Sequence, residues 1–288
     1  MNDSKAMEME RLEIDLLLEA IHRRYGYDFR SYAFTHTKRR LEHRRKLEDF
    51  DNFSEMQHRL IHDEAFFNTL LLDLSINVTE MFRDPWFYKK VREVVVPHLK
   101  TYPFVRVWHA GCSAGQEVYS MGIVLAEEGM KERVQSYATD FNELILQRAK
   151  DGIYPMDLIR DYTVNYQKSG GLHSFSDYYT ADYDSVIIKR RLKENVLFSS
   201  HNLVTDGVFG EMNVIFCRNV LIYFNRELQN RVLQLFHQSL CPGGFLCLGS
   251  KESLKFSPLA DHFEVVCERE KIYRKRWPHE VRPVEEEG

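Results

Sequence analysis

The spacing of apolar residues differs between the first part of the chain and the rest. Up to residue 75, apolar side chains recur at intervals of three or four residues, which is the spacing of amphipathic helices. The predicted helices span residues 8–24, 31–47 and 54–74. Another helix is predicted to begin at Asp84-Pro85, with proline in its first position, and to end near Pro97. This pattern predicts a small helical domain over residues 1–75.

From Phe104 onward, short apolar runs typical of strands alternate with helical patterns. The strand-like runs cover residues 104–109, 134–139, 195–200, 212–217, 244–249, 263–268 and 271–274. The helical patterns between them cover residues 116–128, 142–150 and 225–240. This alternation predicts a mostly parallel sheet with helices on both faces. The last two runs are expected to form an antiparallel hairpin, and Pro242-Gly243-Gly244 is predicted to be a turn before a strand.

Residues 152–194 interrupt the alternation. Gly170-Gly171 lies between short aromatic and β-branched runs, which predicts a small antiparallel β insertion. We therefore predict an α/β protein with a Rossmann-like sheet over residues 76–280, an N-terminal helical domain and an acidic tail at residues 281–288.

A glycine-containing turn joins the first predicted strand to the helix after it. At Gly111 and Gly115 a ligand can approach the backbone closely. Asp140 ends the second predicted strand, where an acid can bind the hydroxyl groups of a ribose. The turn does not have the G-x-G-x-x-G sequence, so these residues favour another adenosine-containing cofactor over a dinucleotide.

Composition narrows the class of protein. The 288 residues are 44% hydrophobic and 28% charged, and the net charge of −4 argues against a dedicated nucleic-acid-binding protein. The five cysteines show no C-x-x-C spacing, so we predict reduced thiols and no metal site. Neither a signal peptide nor an apolar stretch of about 20 residues is visible. We expect a cytoplasmic protein without membrane insertion, and nothing in the sequence requires more than a monomer.

Five separated segments together resemble the chemotaxis-receptor glutamate O-methyltransferases, the CheR family. They are the glycine turn and residues 77–83, 138–140, 200–203 and 215–224. Residues 77–83 and 215–224 are the most specific of these, whereas a glycine turn occurs in many nucleotide-binding folds. The resemblance implies S-adenosylmethionine (SAM) as methyl donor and S-adenosylhomocysteine (SAH) as product. It also implies glutamate side chains of a chemoreceptor as the methyl acceptors.

The resemblance also implies roles for individual residues. The positions that match SAM-contacting residues of the family, with Gly111 added from the glycine turn, are Asn77, Thr79, Arg83, Gly111, Glu117, Asp140, Asn202, Leu203, Arg218 and Asn219. Tyr223 matches the tyrosine near the reacting methyl group, and we predict Arg83 and Tyr223 as the catalytic residues. Whether Arg83 holds the acceptor or the cofactor stays open.

A glutamate acceptor needs little chemical activation. Its ordinary pKa is about 4.3, so it is already an anion at pH 7 and requires no general base. The enzyme must mainly align the carboxylate with the methyl carbon. The guanidinium of Arg83 could hold a carboxylate through two donors, and the ring and hydroxyl of Tyr223 could steady the sulfonium or the acceptor.

Each assignment has a structural alternative. Asp140 could cap the helix that follows it, and Glu117 could be an acid favoured in the first turn of a helix. His109 and His201 lie near the same predicted edge and could line a pocket or pack at strand ends. For the remaining residues, turn, loop or core roles are the alternatives: Asn77, Thr79, Arg218, Asn219 and Tyr223.

The second predicted helix is rich in basic residues. In the CheR family, a positively charged N-terminal helix docks on the acidic methylation region of the receptor coiled coil. By this resemblance the predicted docking residues are Lys38, Arg39, Arg40, Arg44 and Arg45. The alternative is a solvated helix face.

Two segments depart from the family pattern. In the glycine turn, Gln116 and Val118 replace the glutamate and proline that are common there, while Glu117 is retained. The insertion docks a receptor pentapeptide in some members, but the sequence around Gly170-Gly171 differs from that form, so no peptide-docking residues are assigned. Two other functions stay open: a non-catalytic regulator that binds SAM or SAH, and a carboxyl methyltransferase acting on another signalling protein.

Overall fold

The computed structural model describes residues 2–75 and 79–280, so the predicted site residue Asn77 lies outside the described residues. The chain groups into two compact units. The first comprises Met1–Ile76 and Ile222–Gln229, and the second comprises Asn77–Leu221 and Asn230–Gly288. Among the described residues, no helix is both long enough and apolar enough to span a membrane. All five cysteines are free thiols, as predicted.

The N-terminal helices of the first unit are α1 (Asn2–Tyr25), α2 (Phe34–Leu47), α3 (Phe53–His62) and α4 (Glu64–Leu74). They pack through apolar side chains that include the fully buried Ile14, Leu17, Leu41 and Leu60. Burial of such side chains stabilises each helix more than its intrinsic propensity does. The predicted all-helical N-terminal part is confirmed.

The single helix predicted over residues 54–74 is wrong, because the chain breaks at Asp63 into α3 and α4. Asp63 is extended, with φ −126° and ψ 99°. Its carboxylate accepts the backbone N–H of Phe66 at 3.0 Å and so caps the N-terminus of α4. The apolar period continues across this break, which is why spacing alone suggested one helix.

The second unit continues with further helices and all the named strands. Its helical segments are α5 (Pro85–Lys90), a π-helical turn (Val91–Val95), α6 (Val96–Leu99), α7 (Gln116–Glu127), α8 (Glu143–Asp151), α9 (Ile159–Lys168) and most of α10 (Arg226–Ser239). The strands are β1 (Val105–Ala110), β2 (Val134–Asp140), β3 (Ile153–Pro155), β4 (Tyr179–Asp182), β5 (Ser185–Ile188), β6 (Val196–Ser200), β7 (Met212–Cys217), β8 (Leu240–Leu248), β9 (Phe263–Cys267) and β10 (Ile272–Lys275).

Seven strands form one sheet in the order β6-β2-β1-β7-β8-β10-β9. The first five strands of this order, β6, β2, β1, β7 and β8, are parallel. Strand β10 runs antiparallel to both of its neighbours. The predicted Rossmann-like sheet and its terminal hairpin are confirmed. The chain proceeds outward from β1 to β2 and β6 and then returns to β7 on the other side of β1. Open α/β sheets bind ligands beyond the carboxyl ends of the strands at such a reversal.

Two boundary predictions need correction. Pro242-Gly243-Gly244 is not a turn before a strand but lies inside β8, where pairing with β7 passes from Met212–Leu240 to Val214–Phe245. Strand β8 thus advances five residues while β7 advances two, and the excess forms a bulge.

The helix expected to end near Pro97 continues to Leu99. It does so after a π-helical turn in which the N–H of Val96 bonds to the carbonyl of Val91. Proline cannot donate to a carbonyl four residues earlier, and the wider turn just before it accommodates that missing bond.

The insertion contains a three-stranded antiparallel sheet in the order β3-β5-β4, as predicted, together with α9, which the pattern analysis missed. Glu127 at the end of α7 joins the insertion to that helix. The buried carboxylate of Glu127 accepts the hydroxyls of Tyr166 and Tyr178 and the N–H of Leu172, and it pairs with Arg92. These bonds fix the insertion on the helix that begins at the glycine turn.

Candidate cofactor site

The polar residues predicted to bind a cofactor follow the carboxyl ends of adjacent strands in the second unit. Gly111 follows β1, Asp140 ends β2 and Arg218 follows β7. Because β1 pairs with both β2 and β7, the topology brings these three positions to one edge of the sheet. The edge coincides with the reversal of strand order, where a ligand site is expected.

The glycine turn requires its glycines. Gly111 and Gly115 have φ of +73° and +88°, in the left-handed region that favours glycine. A Cβ on Gly111 would lie 2.7 Å from Cγ2 of Val220, and one on Gly115 would lie 3.1 Å from Cβ of Ala149. Substitution at either position therefore combines backbone strain with a close contact, and the turn stays narrow.

Asp140 links the ends of β1 and β2. Its carboxylate is buried and accepts the N–H of Ser113 and the N–H of Asn142, each at 3.0 Å. The helix-cap alternative is not what the structure shows, because Asn142 is the N-cap of α8 and accepts the N–H groups of Leu144 and Ile145. Burial raises the pKa of Asp140 above its ordinary value. Each carboxylate oxygen still has a lone pair for a further donor.

Glu117, in the first turn of α7, faces two cationic or polar partners. Its Oε1 lies 3.0 Å from Nδ1 of His109, and its Oε2 lies 3.6 Å from a guanidinium nitrogen of Arg218. Burial by itself would raise the pKa of Glu117, but the His109 hydrogen bond and the Arg218 charge lower it below its ordinary value. The carboxylate is therefore an anion with both oxygens oriented.

Arg218 fastens the segment around Arg83 to the end of β7. Its guanidinium lies 2.8 Å from Asp84, donates to the carbonyl of Arg83 at 3.2 Å and stacks on the ring of Phe87 at 4.0 Å. Phe82 and Asp84, on either side of Arg83, have φ of +53° and +56°. Such strained residues persist only where surrounding contacts fix them, and they concentrate at functional sites.

Sequence reasoning missed Glu252. Its buried carboxylate accepts the N–H groups of Gly249, Asn219 and Val220, and so binds the end of β8 to the loop after β7. Asn219 in that loop has φ of +61°. An acid shortly after a predicted strand was the available signal, the same one that pointed to Asp140.

Three further predicted cofactor residues lie in segments next to this edge of the chain's second unit: Asn202, Leu203 and Thr79. Asn202 follows β6, and its side-chain oxygen accepts the N–H of Val204 at 3.0 Å, while Leu203 is buried. The N–H of His201 donates to the carbonyl of Asp140, which ties this loop to the end of β2. Thr79 is half-buried in the segment that leads to Arg83.

Comparison with known proteins covers both parts of the chain. Residues 12–75 match the model of the CheR methyltransferase all-alpha domain, and residues 77–272 match the CheR methyltransferase SAM binding domain. The chain belongs to the CheR methyltransferase family. Its cofactor is SAM, which becomes SAH when the methyl group is transferred, and it is a methyltransferase.

Several curated relatives of this CheR chain align over most of its length. A putative methyltransferase Cher3 of Pseudomonas putida is 51% identical over 264 residues, which cover 92% of this chain and 97% of that protein. A chemotaxis protein methyltransferase of Vibrio anguillarum is 35% identical over 210 residues, covering 70% of this chain and 73% of that protein. Chemotaxis protein methyltransferase 1 of Pseudomonas aeruginosa is 30% identical over 238 residues, covering 78% and 84% respectively.

The edge of the sheet at which β1, β2 and β7 end, which we call the strand edge, carries polar groups that fit SAM. The anionic carboxylate of Glu117 suits the ammonium group, and the carboxyl oxygens of Asp140 suit the ribose hydroxyls. Oγ of Ser113 and Nε of Arg218 are buried and make no hydrogen bond to another described residue. Buried polar atoms of this kind are stabilised by a polar ligand.

Tyr223 belongs to the first unit of the CheR chain. Its carbonyl accepts the N–H of Ala33 at 2.8 Å, its ring contacts His36 edge-on at 5.6 Å between centroids, and the guanidinium of Arg40 lies 6.0 Å from its ring centroid. Phe224 beside it is buried, whereas Tyr223 is only half-buried. Tyr223 is therefore not a fully buried core aromatic.

The basic residues of α2 face different directions. Arg40 donates to the carbonyl of Asp73 at 2.5 Å, and Arg44 pairs with the Asp73 carboxylate at 2.5 Å. Arg45 donates to the carbonyls of Phe50 and Asp51, and Lys38 pairs with Glu10. The exposed positions lie at helical spacing on one face, which we call the α2 basic face: Arg39, His43 and Lys46.

Proposed function

We propose that this CheR protein transfers the methyl group of SAM to glutamate side chains of chemoreceptors, which gives glutamate methyl esters and SAH. The observation that carries the proposal is the alignment with relatives named chemotaxis protein methyltransferases, which extends over 70% and 78% of this chain. The methyl esters would remove charge from an acidic receptor surface and so reset its signalling.

The chemistry of such a transfer fits the residues present. Bound SAM supplies an electrophilic methyl group. The acceptor carboxylate is already ionised at neutral pH, so the protein's task is to orient it and to exclude water. A site without a dedicated general base is sufficient for this reaction.

We assign the residues of the strand edge as follows. Asp140 binds the ribose hydroxyls, and Glu117 binds the α-ammonium group of SAM, because each is a buried carboxyl group with a lone pair available. The remaining proposed cofactor contacts are Asn77, Thr79, Gly111, Asn202, Leu203, Arg218 and Asn219. Arg218 also keeps the backbone of Arg83 in place.

Arg83 and Tyr223 are the proposed catalytic residues. The guanidinium of Arg83 can hold a carboxylate through two parallel hydrogen bonds. The residues on either side of it, Phe82 and Asp84, have strained backbone conformations of the kind that concentrates at functional sites. The hydroxyl of Tyr223 can donate to the acceptor, and its ring can face a cationic sulfonium.

The receptor is proposed to dock on the helical part, residues 1–75. The α2 basic face carries the exposed Arg39 and Lys46, which complement an acidic coiled coil. Lys38 and Arg45 stand beside this face and are already hydrogen-bonded within the unit. Arg40 and Arg44 are held by Asp73 and contribute to the fold of the unit instead.

The test is methyl transfer from radiolabelled SAM to membranes that contain candidate receptors. We expect base-labile label on the receptor, because glutamate methyl esters hydrolyse in alkali. SAM binding without receptor label would favour the non-catalytic regulator. Base-labile label on a different signalling protein would favour the alternative carboxyl methyltransferase.

A further inference from the structure

His109 is a fully buried imidazole in the central strand β1. At the same level of the sheet its neighbours are Ala138 of β2 and Phe216 of β7, and its ring stacks on Phe216 with 5.0 Å between centroids. Both neighbours are apolar, so packing at this level does not require a polar side chain. A buried imidazole is unfavourable unless its polar atoms are hydrogen-bonded, so its partner indicates why it is there.

That partner is Glu117. The pKa of Glu117 lies below its ordinary value, so the carboxylate is ionised and can only accept. His109 therefore donates its Nδ1 proton to Oε1 of Glu117 across 3.0 Å. Nε2 of His109 is buried and has no hydrogen-bond partner among the described residues. In this geometry the proton between the two side chains is assigned to Nδ1 of His109.

The second oxygen of Glu117 faces Arg218 at 3.6 Å, which is too long for a hydrogen bond. Arg218 is held back by Asp84 and by the ring of Phe87. Without the donor on His109, Glu117 is free to rotate toward Arg218 and form a two-bond ion pair. Such a pair would occupy both carboxylate oxygens and leave little capacity for a ligand.

We infer that His109 is a positioning residue for cofactor binding: it holds Glu117 away from Arg218, so that the carboxylate stays available to the α-ammonium group of SAM. His109 does not itself touch the cofactor in this arrangement. The inference rests on the proposed role of Glu117 as a SAM ligand, and it is independent of which group accepts the methyl.

Two substitutions of similar polarity separate this role from packing. In His109→Asn the side-chain amide nitrogen can occupy the place of Nδ1, whereas in His109→Gln it reaches the place of Nε2 and points away from Glu117. We expect the Asn variant to bind SAM and SAH within about threefold of the wild type, and the Gln variant to bind them about tenfold or more weakly. The Gln variant should raise the KM for SAM and leave kcat at saturating SAM unchanged.

A role in packing alone predicts the opposite order, because glutamine fills more of the buried volume than asparagine. Calorimetric affinities in which Gln equals or exceeds Asn would overturn the inference. The difference between the two variants should also disappear in a Glu117→Gln background. Unchanged SAM affinity in Glu117→Gln alone would overturn the inference together with its premise.

An NMR measurement on the wild-type protein tests the inference without depending on whether the variants fold. The nitrogen NMR signals of His109 should show a proton on Nδ1. A proton on Nε2 alone contradicts the donor role. Because calorimetry with SAM and SAH needs no receptor, failure of the proposed receptor methylation leaves these results interpretable.

Discussion

The strand edge of the second unit and helix α2 of the first unit differ in how well their residue positions could be predicted from the sequence. At the strand edge, Gly111, Asp140 and Arg218 come from distant parts of the chain, yet the parallel sheet brings them together. On α2, basic residues that are neighbours in sequence have different surroundings: Arg39 is exposed, whereas Arg40 and Arg44 bind Asp73 within the unit. Sheet topology fixes where strand ends meet, whereas a high density of charge on a helix does not reveal which charges are exposed.

The largest expected effect is at the strand edge. Asp140→Asn replaces an acceptor oxygen of the carboxyl group that we assign to the ribose hydroxyls by a donor, and we expect SAM affinity to fall by about 100-fold through the loss of hydrogen bonds to those hydroxyls. Calorimetry with SAH provides the measurement. Asp182→Asn, an exposed acid on β4, is the matched control and should leave the affinity unchanged. Unaltered binding by Asp140→Asn would remove that residue from the site.

The loop after β7 should respond next most strongly. Glu252→Gln replaces one acceptor oxygen with a donor that opposes the N–H groups of Asn219, Val220 or Gly249. We expect SAM affinity to fall by about tenfold, because a buried unsatisfied donor destabilises this loop. Glu268→Gln, an exposed carboxylate, is the control. A Glu252→Gln protein that loses thermal stability but binds SAM normally would show that Glu252 serves the fold only.

Sequence predicted the sheet and its site more completely than it predicted local contacts. Strand-like runs of apolar residues identified the members of the seven-stranded sheet, most clearly β1 and β7, which are parallel and almost entirely buried. The break at Asp63 and the bulge within β8 were missed, because both depend on backbone hydrogen bonds that hydrophobic spacing does not record. Glu252 and the link from His109 to Glu117 require knowledge of which strand ends are adjacent.

On α2, the comparison predicts two separable outcomes. Reversing the charges of the basic face, in Arg39→Glu with Lys46→Glu, should lower the rate of receptor methylation at low receptor concentration by about tenfold, because electrostatic attraction speeds encounter. SAM affinity should be unchanged. The pair Arg23→Glu with Arg24→Glu, exposed on α1, is the control for a general effect of charge. Undiminished methylation would make the α2 basic face a solvated surface.

Arg44→Ala should act on stability instead. Its side chain is mostly buried and bridges Asp73 and Glu48, so its removal leaves a partly buried carboxylate without its partner. We expect a loss of about 1–3 kcal/mol in the free energy of unfolding. Chemical denaturation measures this change. A normal unfolding midpoint together with impaired receptor methylation would place Arg44 on the docking surface after all.

The smallest effects concern pH, and the two site carboxylates should show opposite signs. The pKa of Glu117 is lowered by folding, so its stabilisation is present above pH 4.5 and is lost as the pH falls. The pKa of Asp140 is raised, so its contribution is largest below pH 3.8 and declines as the pH rises. As the pH rises from 3.8 to 7, the stability of the wild type should therefore increase relative to that of Glu117→Gln. Over the same range it should decrease relative to that of Asp140→Asn. Thermal unfolding across this range would contradict the account if both variants shifted in the same direction.

The most direct test of the account is mass spectrometry of a receptor after incubation with this protein and SAM that carries a deuterated methyl group. The account predicts that glutamate side chains of the receptor gain the labelled methyl with the wild-type protein, and that Asp140→Asn abolishes the gain at limiting SAM. Labelled methyl on residues other than glutamate, or undiminished transfer by Asp140→Asn, would contradict it.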